Sequence, residues 1–174
     1  KATEEQFVDA ITEATKQFWD SEKVPVFLTY YGKISKRNSR NRPYTNIFPT
    51  FMVMNTYGDS DIKGNWMELL YHESAHPLIL GSGLFVGGTI NDTAEIHQLN
   101  IPRGLWHAYL FYFTGKISQK LLKKIGIEYP KTYMQRNGIF GRYYPSLKEH
   151  LDLYLDRKVT LAEATHSILK KLNK

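Results

Sequence analysis

The sequence predicts an α+β fold, mostly helical, with a small β-sheet preceding a helix that carries an HExxH motif. Three observations lead there. Two runs rich in β-branched and aromatic residues, 24–31 and 47–56, occupy the first third of the chain and read as strands. Apolar residues then recur at helical spacing from Asn65 onward. No apolar stretch reaches the ~20 residues that a membrane-spanning helix needs. A chain of 174 residues is long enough to enclose one core without staples, so a single domain over residues 1–174 is expected.

The elements follow in order. Phe7, Ile11, Ala14 and Phe18 predict a helix over 4–19, and Thr3 with Gln6 has the form of a capping box. The strands at 24–31 and 47–56 predict a hairpin or small sheet. Between them lies an exposed, mobile loop carrying Lys33, Lys36, Arg37, Arg40 and Arg42 with no acid among them, closed by Pro43. A helix over 66–76 is followed by a Gly-rich link at 81–88 and a short helix near 93–99. A long helix over 103–125 has lysines toward its negative C-terminal pole and Gly126 as its stop. A loop with Pro130, Gly138, Gly141 and Pro145 precedes helices at 146–155 and 161–172, the first with Ser146 and Glu149 at capping-box spacing.

Composition narrows the chemistry. There is no cysteine, so disulfides, thiolate ligands and thiol nucleophiles are excluded and any metal must be held by His and carboxylate. A formal charge of +6 permits attraction to anions but bears on association rather than on fold. The basic loop could meet phosphate or an acidic substrate; a solvated loop is the commoner fate of such a run, and nucleic acid is not the expected partner. The start at Lys1 instead of Met suggests a trimmed, secreted or periplasmic protein.

Chemistry concentrates in Trp66-Met-Glu-Leu-Leu-Tyr-His-Glu-Ser-Ala-His76. His72 and His76 stand four residues apart, which on a helix puts both imidazoles on one face, where they can share a metal. Glu73 adjoins the first of them and is placed to take a proton from a metal-activated water and return it to a leaving group. Chance produces an HExxH in a chain of this composition with a probability of roughly one in a hundred. Pro77 directly after His76 predicts that the helix ends or kinks there.

From residue 51 to 115 the chain resembles the zincin-like metallopeptidase superfamily, whose shared core is a strand, an HExxH helix and a second helix bringing a third ligand. Tyr71-His-Glu-Ser-Ala-His76 followed by Leu105-Trp-His-Ala-Tyr-Leu-Phe-Tyr-Phe-Thr-Gly115 is similar to a group of bacterial HExxH proteins placed with that superfamily. The resemblance implies a zincin-like domain, a catalytic Zn2+ and a peptide or protein substrate. The metzincin extension is ruled out, because Ile79 and Ser82 stand where it requires Gly and His.

Three residues compete to be the third ligand. Glu95 lies near the gluzincin position, but Ala94 precedes it where that branch has Asn. His97 is its neighbour. His107 sits in a strongly apolar helix, where an imidazole needs a partner that a metal would supply, and the similar bacterial group favours it. A lone His on an apolar face is more often bonded to a carbonyl. Glu68, one turn before His72, either orients an imidazole or closes a capping box with Asn65. Tyr109, Tyr112, Tyr143 and Tyr144 are donors in principle, but in so aromatic a chain most tyrosines pack, and none is assigned a catalytic role.

The expected activity is therefore that of a zinc metallohydrolase with His72, His76 and His107 on the metal and Glu73 as base. The alternative is a catalytically silent module of the same fold, its metal structural or lost, using its basic surface to bind an anionic polymer or a protein.

Overall fold

The computed structural model describes residues 3–19, 23–29, 33–35, 38–47, 49–55, 63–79 and 83–174. It is an α+β arrangement in which a small sheet precedes most of the helices. The first helix, α1 (Glu4–Thr15), buries Phe7, Ile11 and Ala14, and ends at Lys16 in the left-handed region, short of the expected residue 19. Thr3 precedes it without capping it. Its hydroxyl lies 2.8 Å from the Tyr71 hydroxyl instead, while Phe7 stacks on the Tyr71 ring at 3.9 Å.

Strands β1 (Val26–Thr29), β4 (Tyr44–Asn46) and β5 (Phe51–Asn55) form one sheet in the order β1-β5-β4. β1 runs parallel to β5, with Val26 opposite Met52, and β4 runs antiparallel to β5, with Thr45 opposite the same Met52. The two expected strands therefore pair side by side in parallel, not as a hairpin. The basic segment expected as a loop is itself a hairpin of β2 (Lys33–Ser35) and β3 (Asn38–Arg42), antiparallel, with Lys33 opposite Arg42. Its main-chain pairing, which side-chain composition does not report, makes the difference. Positions 30–31, 36–37, 48, 56 and 81–82 of the predicted elements lie outside the described residues.

The helical part is organised around α4 (Leu105–Lys124), in which Leu105, Ala108, Tyr109, Leu110, Tyr112 and Phe113 are at most 2% exposed. Fully burying side chains of this size contributes about 1.5–3 kcal/mol each, which makes α4 the axis of the core. It ends as predicted: Gly126 at φ +76° donates its N–H to Lys123 O and Ile127 N–H to Leu122 O, the Schellman pattern. No helix among the described residues is long and apolar enough to cross a membrane.

α2 (Asn65–Ser74) packs along α4. α3 (Phe85–Ile96) begins eight residues before the expected 93 and takes in Gly87 and Gly88. Burial of Val86, Ile90 and Ala94, one turn apart, outweighs the roughly 1 kcal/mol that each glycine costs a helix. A short α5 (Tyr133–Asn137) was not expected; it opens on a capping box of Thr132 and Gln135. α6 (Tyr144–Leu155) and α7 (Leu161–Leu172) close the chain. α7 opens on a second such box, Thr160 with Glu163. The expected box at Ser146 does not form, because α6 starts two residues earlier, leaving Ser146 inside its first turn with Oγ buried.

Candidate metal centre

α2 carries the motif. Its hydrogen-bonded helix ends at Ser74, and a 3-10 turn, His76–Leu78, accommodates Pro77 near its start. Ala75 N–H reaches both Tyr71 O and His72 O, so the winding tightens just before the proline. His76 thus stays on the face of His72, as the spacing predicts.

α2 and α4 run antiparallel, turn against turn. His76 faces Trp106 and His107, His72 faces His107 and Phe111, and Glu68 Oε1 lies 3.0 Å from where a Cβ on Gly115 would stand. This alignment brings His107 to the motif. His72 Nε2 lies 3.1 Å from His107 Nε2, and one ring nitrogen from each of His72, His76 and His107 lies within 4.8 Å of the other two. Nitrogens bound tetrahedrally to zinc at ~2.0–2.1 Å stand about 3.3 Å apart, so small side-chain movements close the set on one ion. These three residues lie close together and could bind a metal ion.

The protonation state of the three rings suits ligation. Burial lowers the His72 pKa well below its ordinary value, with the His76 and His107 rings adding to the effect. Burial pushes His76 down to about 4, helped by His107, and pushes His107 to about 4. All three are neutral near pH 7, the form a metal requires. His72 Nδ1 is buried with no hydrogen-bond partner, which leaves that ring incomplete as an ordinary core histidine.

Glu73 sits at the edge of the cluster, 6% exposed, with Oε2 3.6 Å from His76 Nε2. Thr45 of β4 positions it: the hydroxyl lies 2.8 Å from Glu73 Oε2 and 2.6 Å from Glu73 O, and its single proton is shared between them. Burial raises the Glu73 pKa to about 7, against the Thr45 hydrogen bond, which lowers it. A carboxyl held there exchanges a proton readily at neutral pH. Sequence reasoning missed Thr45, which belongs to a three-residue strand with no motif of its own. It also missed the aromatic wall: Phe111 stacks on His72 at 3.7 Å, Trp106 on His107 at 4.9 Å, and Phe140 approaches His107 at 5.7 Å.

The other candidates go elsewhere. Glu95 and His97 are exposed at the end of α3, where His97 stacks on His166 at 3.8 Å. Tyr109 donates to Thr165, Tyr112 to Asp152 and Tyr143 to Arg103 O, which are packing and tethering roles.

Glu68 does not cap its helix: the N-cap position is Gly64 and no side chain caps it. Its Oε2 accepts from Tyr129 O–H at 2.6 Å and Tyr133 N–H at 2.9 Å. Arg136 donates to Tyr129 and Asn65 and lies over the Tyr129 ring. Burial raises the Glu68 pKa to about 7, opposed by Tyr129, Tyr133 and Arg136. Compared with family models, with curated proteins and with solved structures, the chain matches none.

Proposed function

We propose that the chain is a zinc-dependent hydrolase of amide bonds, a metallopeptidase of zincin-like type, acting on a peptide or protein. One observation carries the reading: three neutral imidazoles from two antiparallel helices converge beside a buried carboxyl whose pKa lies near neutrality. Zinc bound there supplies Lewis acidity, polarising a carbonyl and making a water acidic near neutral pH.

The chain's own residues supply the rest. His72, His76 and His107 would hold the ion through one ring nitrogen each. Glu73 Oε2 takes the proton from the attacking water and delivers it to the departing amine nitrogen, with Thr45 holding the carboxyl in place. Phe111, Trp106 and Phe140 keep the surroundings apolar, which strengthens every charge interaction at the site. Peptide as substrate rests on the resemblance of 51–115, since the same groups hydrolyse other amides and esters.

The reading is tested by digesting a mixed peptide library with zinc-loaded protein, with and without a chelator, beside Glu73→Gln. Cleavage abolished by chelator and by the variant supports it. Stoichiometric zinc with no cleavage would favour a silent binding module instead.

A further inference from the structure

Among the described residues, two buried polar atoms of α2 lack any partner: Glu68 Oε1 and His72 Nδ1. One residue is 1% exposed and the other 2%. They belong to side chains one helical turn apart, packed against two α4 residues also one turn apart, Gly115 and Phe111. Leaving either atom unpaired in the interior is unfavourable. One is a carboxylate oxygen wanting a donor. The other becomes a donor as soon as the Nε2 of its ring is committed to a metal, because a neutral imidazole then carries its proton on Nδ1.

We infer that Glu68 is the positioning carboxylate of the metal centre: its free Oε1 accepts from His72 Nδ1–H and fixes that ring with Nε2 toward the ion. This rests on the reading that His72 holds a metal. Glu68 is prepared for the role by its surroundings. Arg136 donates to the Tyr129 oxygen, so the Tyr129 hydroxyl proton points at Glu68 Oε2, and Tyr133 N–H points there too. Two donors on Oε2 hold the carboxyl and leave Oε1 free. Gly115 makes the room, since a Cβ there would lie 3.0 Å from Oε1 and 2.8 Å from Thr132 Cγ2. The segment from Tyr129 to Arg136 is thereby tied to the metal centre without touching it.

Glu68→Gln separates this role from a merely structural one. Both neighbours of Oε2 are donors, so the amide oxygen must occupy that place, and the amide nitrogen then turns its hydrogens toward His72 Nδ1. The two existing hydrogen bonds survive, while the acceptor for Nδ1–H becomes a donor.

Zinc affinity is measured by competition with a chromophoric chelator for wild type and Glu68→Gln, together with thermal unfolding of both metal-free proteins near pH 6. Affinity should fall about 10–100-fold, with the metal-free variant melting no lower than wild type. Equal affinities, or losses of affinity and metal-free stability in step, overturn it. A second measurement needs no variant: nitrogen-15 spectra of the histidine side chains of wild type on zinc loading. They should show His72 bound through Nε2, with a slowly exchanging Nδ1 proton. A His72 ring bound through Nδ1, or a fast-exchanging Nδ1 proton, overturns the inference while leaving the zinc reading intact. Absence of zinc binding by wild type removes both.

Discussion

His72 Nε2 and His107 Nε2 lie 3.1 Å apart although 35 residues separate them in the chain. The antiparallel packing of α2 on α4 produces that approach, and it explains why His107, not a residue closer in sequence, completes the cluster. His107→Ala should therefore weaken zinc binding at least a hundred-fold, to order of magnitude, exceeding the loss of an orienting partner. Glu95→Ala and His97→Ala should leave it unchanged. Isothermal titration of the three variants checks the ranking, and a large loss in either α3 variant would reassign the third ligand.

Glu73→Gln should retain zinc and lose about 10²–10⁴-fold in hydrolysis, the range general acid–base catalysis supplies. Zinc content and peptide turnover on the same preparation separate the two effects.

Thr45→Val should act through Glu73 alone. The Thr45 hydrogen bond lowers the Glu73 pKa, so its loss moves that pKa upward, and the acid limb of the kcat/KM profile should shift to higher pH with zinc affinity unchanged. A shift to lower pH would show that the hydroxyl does not stabilise the carboxylate.

Much of this site could be read from the sequence, for a physical reason. His72, Glu73 and His76 lie within one helical segment, where periodicity alone decides which side chains share a face. His107 could be named only as one candidate of three, because its selection depends on the register of α2 against α4. Thr45 could not be named at all, since its bond to Glu73 is purely tertiary. The capping boxes make the same point from the other direction. Thr3–Gln6, Ser146–Glu149, Thr132–Gln135 and Thr160–Glu163 share one spacing, but only the last two close. Tyr71 engages the Thr3 hydroxyl, and Ser146 falls inside α6.

Gly115→Ala distinguishes packing from propensity. Alanine in the middle of a helix stabilises it by roughly 1 kcal/mol over glycine. Here the added Cβ meets Thr132 and Glu68 at 2.8–3.0 Å, and overpacking of this kind costs about 1–3 kcal/mol. The variant should unfold at lower urea than wild type; higher stability would mean that α2, α4 and Thr132 are less tightly apposed.

The buried Glu68 carboxyl makes the metal-free protein sensitive to pH. Its folded-state pKa is raised from 4.5 to about 7, so the folded protein holds that proton more tightly than the unfolded chain. The advantage is complete below the unfolded value and is lost as pH rises through the folded one, on the order of 3 kcal/mol across the window. Urea unfolding of metal-free wild type against metal-free Glu68→Gln should show wild type losing ground between about pH 5 and pH 8. A difference independent of pH would mean that Glu68 ionises in the fold as it does in the open chain.

Whether His72, His76 and His107 together hold zinc is tested by metal content. Wild type and a His72→Ala/His76→Ala variant are equilibrated with equimolar zinc, freed of unbound metal by gel filtration, and assayed by elemental analysis. Wild type should carry about one zinc per chain, removable by chelator, and the folded variant little. Wild type emerging without zinc, or the variant retaining as much as wild type, would contradict it.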